Sequence, residues 1–167
     1  MHTPRRESIH QVVNGYSRNN CPGSTFYGRC LNNTEIKYLG DGVFFYANRV
    51  ELREITDGTS ATMLAGETVH SDNEYQFNTW AWTNRYTSSV RTTTAPLNYP
   101  VNLTSGFVMW ANNNTGTNGA FGSSHPGGAF FVFADGHVPF ISEQIDQDLY
   151  EALSTRAGGE VIADSGI

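Results

Sequence analysis

Lysine is almost missing from this chain, with Lys37 the single example. Lys and Arg together number 10 against 16 Asp and Glu, so the chain carries a net charge of −6. Non-specific nucleic-acid binding needs clustered cations to neutralise phosphates, and that class is excluded. An anionic membrane surface is no better matched. Long apolar runs are missing as well. Residues 1–11 are polar and basic, with His2, Arg5, Arg6 and His10, and hold no apolar run of even eight residues. A signal-peptide core needs roughly 7–15 apolar residues and a membrane span about 20, so neither is expected there.

Motifs for nucleotide and redox chemistry are also lacking. There is no P-loop and no G-x-G-x-x-G that follows a strand and opens a helix. The pairs Gly127-Gly128 and Gly158-Gly159 read as turn elements. Ser123, Ser124 and His125 are adjacent, but neighbours in extended chain point to opposite faces. Gly122-Ser123-Ser124-His125-Pro126 lacks the spacing and second glycine of a nucleophile elbow, which leaves a serine hydrolase unsupported. Only two cysteines occur. Cys21 and Cys30 flank an eight-residue loop, which an exported protein would close as a disulfide worth on the order of 2–3 kcal/mol. Two free thiols are the alternative.

What is present is β signal. At 167 residues the chain suits one domain, with charged residues scarce and Gly, Asn, Ser and Thr plentiful, a balance resembling extracellular β-rich proteins. Residues 1–40 show no sustained period and read as an irregular region, with one short helix near 7–13. Strands are predicted at 42–47, at 50–55 by its period-two alternation, at 62–69, 77–86 and 107–111. Asp57-Gly58 marks a turn, and residues 87–105 a long loop. Residues 130–133 and 138–141 read as two strands joined through Ala134-Asp135-Gly136-His137. Asp-Gly between β-rich runs predicts a primed hairpin turn, with Gly136 supplying positive φ. Ile145, Leu149, Ala152 and Leu153 share one helical face, with Asp146 or Asp148 in its first turn and Gly158-Gly159 at its end. The fold class is α+β: an antiparallel sheet with a short C-terminal helix.

His125, nine residues and then Asp135-Gly136 resembles the signature of the DUF1559 group, prepilin-processing-associated proteins abundant in planctomycetes. Asp41-Gly42-Val43-Phe44, Ile55-Thr56-Asp57-Gly58-Thr59-Ser60-Ala61-Thr62, Leu64-Ala65-Gly66-Glu67 and Thr155-Arg156-Ala157-Gly158-Gly159-Glu160-Val161-Ile162 extend the resemblance over about 41–162. It implies a single domain over 1–167 like the globular head of a type IV pilin or pseudopilin. It also implies a cell-surface or secreted location, pilus or secretion-assembly partners, and a raised prior for a structural calcium. Members usually begin with a leader and a long apolar helix. Residues 1–11 depart from that opening, so filament assembly by this chain is not expected.

Several constellations bear on chemistry. Glu67, Asp135 and His125 would form a catalytic or metal-binding set if the Glu67 strand lies beside the hairpin and Pro126-Gly127-Gly128 folds back. A divalent metal would take His125, Asp135 and His137, with His70 as a further nitrogen donor. The structural alternative has His125 bonded to a backbone carbonyl and Asp135 capping the turn. Neither Asp57-Gly58 nor Asp135-Gly136 has the spaced oxygen donors of an EF-hand. Trp80, Trp82 and Tyr86 fall on one face of a strand, with Trp110 nearby, either as core or as a sugar-stacking platform. The primary reading is a non-enzymatic structural or binding protein. The alternative is a secreted glycan-active protein, binding through those aromatics or hydrolysing with Glu67 and Asp135. No cofactor is firmly implied.

Overall fold

A computed structural model of the chain describes residues 42–44, 49–68, 91–93, 95–100 and 119–160. The expected strands at 77–86 and 107–111, the cysteine pair and the aromatics Trp80, Trp82, Tyr86 and Trp110 lie outside the described residues. Strand β1 spans Met63–Gly66, β2 Gly128–Phe133 and β3 Phe140–Ser142; helix α1 spans Gln147–Ala152. The strands form an antiparallel sheet in the order β1-β2-β3. The expected α+β class therefore holds in its coarse form.

β2 is the central element, and its side chains explain why. Ala129, Phe131 and Phe133 alternate inward and are buried, while Phe130 and Val132 face out. The inner set joins Met63, Leu97, Ile141, Tyr150 and Leu153 in one core. Phe131 is its hub, with edge-to-face ring contacts to Phe121 at 5.2 Å and Tyr150 at 6.0 Å. Such pairs add about 0.5–1.5 kcal/mol each beyond area burial. Gly66 lies flat against this hub: a Cβ there would collide with the Phe131 ring.

The hairpin is real, but its turn differs from the expected primed type. The Gly136 amide donates to the Phe133 carbonyl at 2.9 Å and the Phe133 amide to the His137 carbonyl at 3.0 Å. Gly136 has φ of 92°, whereas Ala134 and Asp135 keep negative φ. This is a three-residue turn closed by a glycine bulge, the next commonest hairpin solution. An Asp-Gly pair fits both turns, because both place a left-handed residue at the glycine; the primed turn would need positive φ at Asp135 as well.

Residues 50–55 do not form the expected strand. Glu54 turns back on Glu51, its amide donating to the Glu51 carbonyl at 2.8 Å and its carboxylate accepting the Glu51 amide at 2.7 Å. That reciprocal cap gives a 3-10 turn at Leu52–Glu54. The strand expected at 62–69 is shorter, since Glu67 leaves the ladder. Asp146 caps α1 by accepting the Leu149 amide at 3.0 Å, and Asp148 sits in its first turn. The helix ends at Ala152, ahead of Gly158-Gly159, which have another use.

Candidate functional site

Glu67 and Asp135 are the acidic candidates for chemistry, and each is engaged by backbone. Glu67 follows β1 directly. Its amide donates to the Phe130 carbonyl at 3.3 Å, but the Phe130 amide donates back to the Glu67 carboxylate at 2.8 Å instead of to the Glu67 carbonyl. That carbonyl is thereby released to accept the Gly122 amide at 2.9 Å. One side chain thus stands in for the main chain and joins β1, β2 and the segment at 119–123. The second carboxylate oxygen faces His125 Nε2 at 3.4 Å, with both side chains partly exposed.

His125 is held from below as well as beside. Its amide donates to Ser123 Oγ at 3.0 Å, and that hydroxyl donates to the Gly128 carbonyl at 2.7 Å. Ser123 is therefore a turn clamp. The His125 ring meets Phe130 edge to face at 5.4 Å. Asn98 ties the same loop down, accepting the Ser123 amide at 2.9 Å and donating to Glu143 at 2.8 Å. Its backbone adopts φ of 59°, a region that Asn tolerates better than most residues.

Asp135 stands at the opposite end of β2. Its carboxylate accepts the His137 amide at 3.0 Å and lies 2.5 Å from His137 Nδ1. These bonds, the side-chain one first, hold the Asp135 carboxyl below the usual carboxylate range. The His137 ring lies on Phe133 with centroids 4.5 Å apart. The turn itself docks on the preceding segment, with Ala134 donating to the Thr62 carbonyl and Asp135 to the Thr59 carbonyl at 2.9 and 3.1 Å.

The expected convergence of Glu67, His125 and Asp135 does not occur. Glu67 and His125 meet at one end of β2, while Asp135 and His137 meet at the other. Pro126-Gly127-Gly128 turns the chain into β2 and does not carry His125 back along it. The extended run from Phe130, whose amide Glu67 accepts, to Phe133 is about 10 Å long, and Asp135 lies beyond it in the turn. The metal set His125, Asp135 and His137 fails for the same reason. Among the described residues, no three His, Cys, Asp or Glu side chains gather to hold an ion. His70 lies outside them. The structural alternative is met in part: Asp135 caps the turn, but His125 pairs with Glu67 and not with a carbonyl.

Asp57 is the residue that sequence reasoning undervalued. Its carboxylate accepts the Gly158 amide at 2.6 Å, the Gly159 amide at 2.9 Å and the Thr155 hydroxyl at 3.0 Å. Two successive amides form a small anion cradle, and Asp57 fills it. Around this clasp, the Thr56 amide donates to the Arg156 carbonyl at 2.8 Å and the Met63 amide to the Leu153 carbonyl at 2.7 Å. Arg156 in turn reaches the Gly42 carbonyl at 2.7 Å. The available signal was the pairing of an Asp-Gly segment with a Gly-Gly segment, each too short to bury anything alone.

Among the described residues, no helix is long and apolar enough to cross a membrane. Neither a curated protein nor a solved structure matches the chain. A family model described as protein of unknown function (DUF1559) matches residues 3–148. It covers the Asp57, Glu67, His125 and Asp135-Gly136 segments and stops short of the clasp at 155–160. The chain belongs to the DUF1559 family.

Proposed function

We infer that the protein is a non-enzymatic, pilin- or pseudopilin-like component of the cell surface or the secreted fraction, working by contact through its sheet and loops. One observation carries this reading. The carboxylates of Asp57, Glu67 and Asp135 are each committed to main-chain amides, and the first two tie together segments distant in sequence. A general base or nucleophile needs a carboxylate turned toward a substrate, with its partner within reach. Groups committed to backbone in this way support a scaffold role. Pilus or secretion-assembly components are the partners this reading names.

The hydrolytic form of the glycan reading loses its support with the separation of Glu67 from Asp135. Its binding form rests on Trp80, Trp82, Tyr86 and Trp110, all outside the described residues. The test is location together with turnover. Brief protease treatment of intact native cells, with a cytosolic marker as control, should release peptides of this chain, or the chain should appear in the medium. Confinement to the cytosol sinks the reading. So does oligosaccharide cleavage that is lost in Glu67→Gln without a fall in Tm.

A further inference from the structure

The outward face of β2 and β3, with Val138 in the connection just before β3, carries four large apolar side chains in solvent. Phe130, Val132, Val138 and Phe140 are 40%, 38%, 53% and 43% exposed. Phe130 and Phe140 are cross-strand partners whose rings meet edge to face at 5.1 Å. Strand alternation fixes this exposure, because turning the strip inward would expel Ala129, Phe131 and Phe133 from the core. Contiguous apolar surface of this kind marks contact sites.

Charge indicates what fits. Glu67 borders the strip at one end and Asp135 at the other. Residues 92–155 contain no Lys or Arg, yet include Asp135, Glu143, Asp146, Asp148 and Glu151. Along 123–143, which carries the strip, the ionisable side chains are therefore His125, Asp135, His137 and Glu143; the helix packs on the inner face, where Tyr150 meets Phe131. Complementary potential favours cationic partners and suppresses anionic ones. We propose that this face is a docking surface for an apolar, basic segment of a partner protein. The segment lies extended across the hairpin, its apolar side chains on Phe130 and Phe140 and its cations toward Glu67 and Asp135.

The inference deepens the reading of the protein as a component that works by contact. The two fail separately, since peptide binding is measured in vitro and location in cells. The full chain, labelled with 15N, is titrated with a capped peptide alternating valine and arginine, and with its valine–glutamate counterpart. Saturable shifts at 128–142 are expected with the arginine peptide, about tenfold weaker binding with the glutamate one, and weakening by salt. Phe130→Ser with Phe140→Ser should lose about tenfold in affinity with Tm kept, as fits loss of interface anchors. If that pair lowers Tm, Val132→Thr with Val138→Thr carries the same expectation. Equal binding of both peptides, or none, overturns the proposal. So does salt-insensitive self-association of the chain that the serine pair abolishes, which would assign the face to a second copy.

Discussion

Asp57 and Asp135 each precede a glycine and each belong to a signature segment, yet they do different work. Asp57 accepts three donors from residues 98, 101 and 102 positions away. Asp135 bonds His137, two positions on. Removing the first unties a tertiary contact and leaves Gly158 and Gly159 amides without acceptors. Removing the second loosens a turn that Gly136 and the Phe133–His137 ladder still hold. Identical dipeptides thus encode long-range closure in one region and local geometry in the other.

The largest expected effect tests closure. Asp57→Ala should cost about 3 kcal/mol, because charged hydrogen bonds contribute ~1.5–3 each and do not add fully. For a domain of this size, that lowers Tm by about 6–12 °C; a melt unchanged within about 2 °C would erase the contrast with Asp135. Glu67 is intermediate, bonding across 63 positions but partly exposed. Glu67→Ala should cost about 1–2 kcal/mol in a denaturant titration, and Glu67→Gln less, since the amide oxygen still accepts from Phe130.

Asp135 should show itself through pH. Its folded carboxyl titrates below the ordinary 3.8, so its contribution is present above 3.8 and is lost as pH falls through the folded value. Asp135→Asn should flatten that acid limb and lower neutral stability by the same small amount that the parent loses in acid. A neutral-pH loss as large as that of Asp57→Ala would break the comparison from the other side. The smallest effect belongs to Tyr150, whose buried hydroxyl has no hydrogen-bond partner among the described residues and whose ionisation burial pushes upward. Tyr150→Phe should fall within about 0.5 kcal/mol of the parent, because no hydrogen bond is lost.

The hairpin and the short C-terminal helix were legible because each rests on local pattern. The Leu52–Glu54 turn was not, since alternation at 50–55 suits a strand until the Glu51–Glu54 cap is formed. Meeting points were less legible still. His125 finds Glu67 and Asp57 finds Gly158 through packing of distant segments, which no spacing in a single chain encodes. The expected link from His125 to Asp135 failed because an intact β-strand holds its two ends apart.

The reach of Asp57 also bears on the order of events during synthesis. β1 cannot pair until β2 exists, and Asp57 has no acceptor role to fill until residues 158 and 159 have been made. Contacts of such separation close late, after the loop entropy between them has been overcome. The ribosome therefore extrudes most of residues 57–159 before the core can lock, a stretch of time in which the nascent chain stays open to chaperones.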